Sequence, residues 1–334
     1  MKKFINAVEN VEREMLEGLV AAHPEVSLTV FDEPGQFMLT RTEKKEGKVA
    51  IISGGGSGHE PAHGGFVGTG MLDAAVPGAV YTSPSPAPIF EAIKAVDAGK
   101  GVLMVVKNYT GDVMNFEMAA EDAEDEGIEV AEVVTNDDVA VDGSLYTVGR
   151  RGVAGTIFVH KIAGAKAEEG ADLEEVKAVA EKVIANVRTM GVALKPSTVP
   201  AAGEPGFALE EDEMEIGIGI HGEPGVSTEA LQPADAIVDR LLDKILNDDV
   251  DYAGAEVAVC INGGGGTPLM ELYILNRRVN EVLTEKGCTV VKTWVGNFMT
   301  SIDMAGASIS VLKLDDETKP LLLAPANTPA FTQF

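Results

Sequence analysis

Lys48-Val49-Ala50-Ile51-Ile52-Ser53-Gly54-Gly55-Gly56-Ser57-Gly58-His59-Glu60-Pro61 is the stretch from which the rest of the chain is read. Its first half is a short apolar run closing in a small residue, the pattern of a buried strand. Its second half opens into glycines, which expose backbone N–H groups and let a ligand come close to the main chain. His59 adds a titratable group at the end of that loop. The common templates do not fit. His59 stands where both the dinucleotide fingerprint and the serine-hydrolase elbow need glycine, and no Gly-Lys-Ser/Thr follows for a phosphate-binding loop. A small polar ligand is expected at this strand end by some other route.

Working outward, strand-like runs recur at Gly101–Lys107, Val130–Thr135, Ile216–Ile220, Glu256–Asn262, Thr289–Trp294 and Ser308–Leu314. Helical stretches lie among them at Ala87–Ala98, Asn115–Glu126, Leu173–Val187, Ala234–Leu246 and Pro268–Lys286, and an amphipathic helix is expected over Asn6–Ala22. Strands alternating with helices of this length predict an α/β fold: two α/β domains with mixed or mainly parallel sheets. A segment with three prolines, Lys195–Gly206, reads as an extended connection, which puts the domains at residues 1–190 and 191–334. The active site is expected at strand ends near the interface of the two domains.

The 334 residues carry 53 acidic against 26 basic side chains, a net charge of −27, which argues against a nucleic-acid partner. The acid is spread along the chain and reads as a solvated surface of the kind that high salt tolerates. No uninterrupted apolar run reaches the length of about eighteen residues that a membrane span needs, so no membrane partner is expected. The N-terminal residues lack the hydrophobic region of a secretory signal. Cys260 and Cys288 share no redox or zinc spacing and read as ordinary thiols of a cytoplasmic protein.

A second polar strand end is Val105-Val106-Lys107-Asn108-Tyr109-Thr110-Gly111-Asp112. Lys107 can supply a cationic donor, while Asp112 can accept a proton or simply cap a helix beginning near Val113. The third is Met214-Glu215-Ile216-Gly217-Ile218-Gly219-Ile220-His221-Gly222-Glu223-Pro224-Gly225. Gly217, Gly219 and Gly222, with Asp239 further on, match the dinucleotide spacing, but the glycines lie inside the apolar run and no helix follows directly. His59 and His221 share a setting at strand ends, His-Glu-Pro in one and His-Gly-Glu-Pro in the other. Asn262–Pro268 reads as a tight strand-to-helix turn, with Thr267 as N-cap and Pro268 at the first helical position. His63, His23 and His160 fall in no metal-ligand spacing, and no metal is expected.

Taken in order, these clusters resemble the dihydroxyacetone kinase substrate-binding subunit, or K subunit, family. The resemblance runs through Gly54–Pro61, Lys107–Asp112, Asp142-Gly143-Ser144-Leu145-Tyr146 and Gly149-Arg150-Arg151-Gly152-Val153-Ala154. It continues through Thr198–Gly203, Gly219–Gly225 and Thr328-Pro329-Ala330. It implies that His221 forms a covalent hemiaminal with the carbonyl carbon of dihydroxyacetone. It further implies that Asp112 is the general base on the attacking hydroxyl, that His59 assists, and that Gly56, Lys107 and Asp112 bind the substrate's oxygens. No cofactor is expected on this chain. ADP or ATP with magnesium would be held by a separate nucleotide-binding L subunit, recharged in some systems from phosphoenolpyruvate through a phosphotransferase phosphocarrier. The resemblance also implies a homodimer. Three rival readings stay open: a dihydroxyacetone-sensing coactivator paralogue, a nicotinamide oxidoreductase resting on Gly217, Gly219, Gly222 and Asp239, and an acidic interaction protein.

Overall fold

Strand β3 is buried at every one of its eight residues, Ala50–Ser57, and β5 at every one of Val102–Lys107. Strands that read as unbroken apolar runs are those covered on both faces, so these two belong at the centre of a sheet flanked by helices. The computed structural model describes residues 2–141 and 148–334; the expected motif Asp142–Tyr146 lies outside the described residues. Contacts divide the chain into two compact units: a first of residues 2–135, 158–183 and 318–334, and a second of residues 136–157 and 184–317.

The first unit begins with α1 (Val11–Ala22), β1 (Val26–Val30), β2 (Phe37–Arg41), β3, β4 (Ala74–Val80) and α2 (Pro86–Val96). It goes on through β5, α3 (Thr110–Asp125), β6 (Val130–Thr135), and most of α4 (Thr156–Glu168) and α5 (Leu173–Asn186). Its sheet runs β1-β2-β4-β3-β5-β6. The last four strands in that order are parallel, and β1 and β2 form an antiparallel edge. Ile52, Val76, Met104 and Val106 on one sheet face pack with Ile89 and Ile93 of α2 and Phe116 and Ala119 of α3. Parallel strands joined through helices put β3 and β5 side by side with their carboxyl ends together, so Gly54–Ser57 and Lys107 emerge at one edge of the sheet.

The second unit holds β7 (Val187–Lys195), β8 (Glu213–Ile216), β9 (Ser227–Ala230), α6 (Ala234–Leu246) and β10 (Glu256–Gly263). It closes with α7 (Leu269–Glu285), β11 (Thr289–Gly296) and β12 (Ala305–Lys313). The order is β11-β10-β12-β7-β8-β9, with β10–β11 the one parallel pair of this sheet. Leu241, Leu242 and Ile245 of α6 and Leu272, Val279 and Leu283 of α7 bury against Val257, Val259, Ile309 and Val311. The chain then adds α8 (Thr318–Leu323), β13 (Ala326–Thr328) and β14 (Phe331–Gln333) to the first unit.

Both sheets are mixed, within the expected α/β class. The expected cut at 190/191 falls inside β7, which pairs with β12 from Val187↔Leu312 to Ala193↔Gly306 and Lys195↔Ala305; the contacts divide the chain elsewhere. The expected strand Ile216–Ile220 ends at its first residue, because Gly217 takes a left-handed φ of +73° and turns the chain. Helix α3 begins at Thr110, so Asp112 lies in its first turn rather than capping it. Pro268, not Thr267, is the N-cap of α7. The Thr267 hydroxyl instead donates to Gly306 O (2.6 Å) and accepts the Gly306 N–H (2.8 Å), tying the turn to β12. Cys260 and Cys288 are buried free thiols. No helix among the described residues is long and apolar enough to cross a membrane.

Candidate active site at two strand ends

In the first unit the site is built around a buried cation. Lys107 ends β5 with no exposed surface, and its Nζ donates to Gly54 O of β3 (3.1 Å) and to His63 Nε2 (3.1 Å). It also stands 3.5 Å from Asp112 Oδ2. The ammonium reaches Gly54 because Gly55 has no side chain: a Cβ there would overlap Nζ, and Gly55 adopts a φ of +147°. Asp112 is 3% exposed, and its Oδ1 has no hydrogen-bond partner among the described residues. The first turn of α3 presents positive dipole to that carboxylate, which together with Lys107 offsets the cost of burying it.

His63 and His160 complete this cluster. His63 Nδ1 lies 2.9 Å from His160 Nε2, and Ser53 Oγ, which donates to Val105 O, is 3.4 Å from the same His63 nitrogen. Burial first, and the Lys107 charge second, hold His63 well below the usual histidine range and take His160 down to about 3. Both rings are therefore neutral at pH 7. An ammonium can only donate, so His63 Nε2 is an acceptor, its proton sits on Nδ1, and that proton goes to His160 Nε2. The tautomers follow from the geometry.

His59 follows β3 and is fully buried, its ring stacked on Tyr81 with centroids 5.4 Å apart. Tyr81 holds a left-handed φ of 58°, an expensive conformation for a bulky residue, kept by its N–H bond to Ser57 O (3.0 Å). Glu60 turns back so that both carboxylate oxygens accept the Gly58 N–H (3.2 and 3.0 Å); burial pushes its carboxyl up. Gly56 lies in β3 opposite Gly78 of β4. The first unit thus brings Gly54, Gly55, Lys107 and Asp112 together, while Gly56 lies against the Tyr81–Thr82 backbone and His59 stands on the loop leaving the same strand.

In the second unit the loop carrying His221 is fixed by Arg151, which is 2% exposed. Its Nε and Nη2 donate to Asp138 Oδ2 (2.7 and 2.6 Å), its Nη2 also to Gly217 O (2.8 Å), and its Nη1 to Glu223 Oε1 (3.1 Å). The other Glu223 oxygen accepts the His221 N–H (2.9 Å). Burial pushes Asp138 up to about 6, with Arg151 opposing. Asp137 beside it accepts the N–H groups of Val153 (2.9 Å) and Gly155 (2.7 Å), which ties the end of the Gly149–Ala154 segment to the chain just past β6. His221 is half-buried.

Asp239, the acidic residue of the dinucleotide spacing, is an exposed ion-pair partner of Arg278 (2.8 Å), and α6 starts only at Ala234, well past Gly222. Among the described residues no group of three or more His, Cys, Asp or Glu is placed to hold a metal ion. Sequence reasoning missed Tyr81, His63, His160 and Asp138. Nothing local marks the histidine pair, which is 97 residues apart, whereas the acidic doublet Asp137-Asp138 just past the end of β6 was a usable signal.

Comparison with known proteins places the chain by its sequence and overall fold. The dihydroxyacetone-binding subunit DhaK of the PTS-dependent dihydroxyacetone kinase 1 of Listeria innocua is 53% identical over 332 residues, covering 99% of this chain and 100% of that protein. The corresponding subunit of the PEP-dependent dihydroxyacetone kinase of Escherichia coli is 44% identical, with 99% of each chain covered. The crystal structure of the dihydroxyacetone kinase of C. freundii superposes with a TM-score of 0.92 at 35% identity, over 99% of this chain and 60% of that one. The dihydroxyacetone kinase operon co-activator Dha-DhaQ superposes at 0.89 with 39% identity, over 96% and 98%. With the family model of the Dak1 domain matching residues 17–330, the chain belongs to the Dak1 family.

Proposed function

We propose that the chain is the dihydroxyacetone-binding subunit of a dihydroxyacetone kinase, a phosphotransferase acting on an alcohol group. One observation carries the reading. A Dak1 chain matched end to end by dihydroxyacetone-binding subunits carries His59 and His221 on the loops after β3 and β8, with Lys107 and Asp112 paired in a buried site.

In the proposed reaction the unprotonated nitrogen of a neutral His221 ring attacks the carbonyl carbon of dihydroxyacetone. A C–N bond forms and the C=O π bond opens. The oxygen gains a proton as the ring gives up its N–H proton, leaving a neutral hemiaminal. Glycerol has no carbonyl and cannot make this bond, so selection is chemical. Fixing the triose also removes its rotational freedom before transfer. Lys107 and the backbone at Gly56 hold the substrate's oxygens while His59 hydrogen-bonds it. Asp112 then accepts the proton of the terminal hydroxyl as its oxygen attacks phosphorus, the donor's bridging P–O bond breaks, and ADP leaves. The nucleotide and its magnesium belong in this reading to a separate L subunit, with a phosphotransferase phosphocarrier behind it. The chain works as a homodimer in the cytoplasm.

Calorimetric titration of dihydroxyacetone against glycerol tests the reading on wild type and His221→Ala at neutral pH. The ketone alone is expected to bind, and the substitution to weaken it sharply. A wild type that ignores the ketone overturns the assignment. A coactivator without turnover is the second reading, favoured by the close likeness to Dha-DhaQ. Dihydroxyacetone phosphate formed with an L subunit and ATP would exclude it.

A further inference from the structure

The assignment of His221 leaves unexplained why a buried guanidinium and two carboxylates are gathered behind it. Lys107 and Asp112 form a one-to-one pair, but Arg151 faces two acids, Asp138 and Glu223. Asp138, at 1% exposure, is already enough to neutralise Arg151. Glu223 is the surplus acid. Its side chain is 13% exposed, so it could have stayed in water; instead one oxygen is held by Arg151 and the other by the backbone N–H of His221. A carboxylate anchored at one oxygen by a rigid guanidinium fork presents its second oxygen in a fixed direction.

The same arrangement explains a glycine in the motif. A Cβ on Gly219 would overlap both the Glu223 carboxylate and Arg151 Nη1, so any other residue there would push the clamp away. Arg151 also holds Gly217 O, the point at which β8 ends and the loop begins. The loop is therefore gripped at Gly217 and at His221, both through one buried side chain.

We propose that Arg151 and Glu223 are positioning residues for His221: Asp138 fixes Arg151, Arg151 fixes Glu223, and Glu223 fixes the backbone from which the imidazole projects. This rests on the covalent role given to His221 above. An unanchored loop would leave the ring sampling directions from which the carbonyl carbon cannot be attacked, so the hemiaminal equilibrium should suffer although neither residue touches substrate.

The test uses the full chain and dihydroxyacetone labelled with ¹³C at the carbonyl. The adduct carbon is read by NMR, His221 amide hydrogen exchange is followed in parallel, and the melting temperature is recorded. Glu223→Ala should speed exchange of the His221 amide and weaken the adduct about tenfold or more, the worth of a hydrogen bond to a charged group. Glu223→Gln leaves one acceptor oxygen for two donors and turns its NH2 on one of them, so it should recover only part of that loss; Arg151→Lys, which cannot span three acceptors, should resemble the alanine variant. A purely structural role would shift melting in all three and leave adduct affinity alone, and that result overturns the inference. So does an adduct of wild-type strength in Glu223→Ala. A wild type that forms no adduct overturns the covalent reading itself, and the inference with it.

Discussion

The loops carrying His59 and His221 look alike in sequence and are built differently. Each uses the glutamate after its histidine to accept a backbone N–H, Glu60 from Gly58 and Glu223 from His221. Behind His59 lies a sealed cluster in which one ammonium ties together one carboxylate and a pair of neutral imidazoles. Behind His221 lies an open one, in which a single guanidinium serves two carboxylates and the histidine is half-buried. The sealed cluster suits a carboxylate that must take up a proton beside a cation held in a fixed place. The open one suits a nucleophile that must meet its substrate. In the proposed reaction this is the division between Asp112 and His221.

The largest effect should come from the sealed side. Asp112→Asn keeps the shape and hydrogen-bonding reach of the side chain but cannot accept the hydroxyl proton. Turnover with an L subunit should fall by roughly 10²–10⁴-fold while calorimetric affinity for dihydroxyacetone stays within a few-fold of wild type. Turnover unchanged in the variant removes Asp112 as the base and with it the contrast between the two loops.

Next is stability. Lys107→Met fits the volume of the stem but leaves the buried Asp112 carboxylate without its cation and His63 Nε2 without its donor. Breaking a buried pair from one side costs about 3–5 kcal/mol, and denaturant unfolding at pH 7 should show a loss of that order. A smaller loss is expected from Arg278→Gln, since Arg278 pairs with Asp239 on the surface, where pairs contribute little.

The two clusters should also respond to acid in opposite directions. His160, near 3 in the folded protein, stays neutral there while the unfolded chain takes up a proton below about 6.5, so the stability it confers is lost as pH falls from about 6.5 toward 3. His63, shifted the same way, adds to that loss. Asp138, pushed up to about 6, binds its proton sooner in the folded state than in the unfolded chain, so its contribution favours folding at low pH and is lost as pH rises through about 6. Other buried carboxyls, Asp137 and Glu60 among them, titrate alongside Asp138, so the single variants carry the test. Subtracting the stability profile of His160→Gln from wild type should leave a slope approaching 1.4 kcal/mol per pH unit below pH 6, with wild type weakening toward acid. The corresponding difference for Asp138→Asn should slope the other way between pH 4 and 6. Slopes of the same sign would show that the clusters do not differ in the way their burial implies.

How much of this was readable beforehand depends on how local the signal is. Val102–Lys107 and Glu256–Gly263 are continuous apolar runs ending in polar residues, and their carboxyl-end positions, with Lys107 and Asp112 among them, follow from that pattern. β4 escaped because Pro77 and Gly78 interrupt it, residues that ordinarily argue against a strand. Helix α4 escaped for the opposite reason. Ile157 through Ala163 are all buried, so no apolar stripe of helical period marks them. Helix α3 was placed five residues late because Thr110, Gly111 and Asp112 are weak helix formers, and tertiary packing overrides that weakness. The roles of His59, Asp112 and His221 came from family resemblance. The residues behind them, His63, His160, Arg151 and Glu223, meet partners 97 and 72 residues away, and no spacing rule reaches that far.

The smallest expected effect falls on the residue that the glycine spacing singled out. If Gly217, Gly219 and Gly222 formed a dinucleotide loop, Asp239 would hold a ribose hydroxyl, and Asp239→Ala would abolish ligand binding. Its carboxylate is instead exposed and engaged by Arg278, and each glycine is explained within the His221 loop: Gly217 by its turn, Gly219 by the Arg151–Glu223 clamp, and Gly222 by its φ of +73°. Asp239→Ala should therefore leave dihydroxyacetone affinity and turnover at wild-type values, and NAD should produce no heat on titration into either protein. Loss of ketone binding in Asp239→Ala would mean that the second unit recognises its ligand through α6 rather than through the clamped loop, and the distinction drawn between the two histidine loops would then fail.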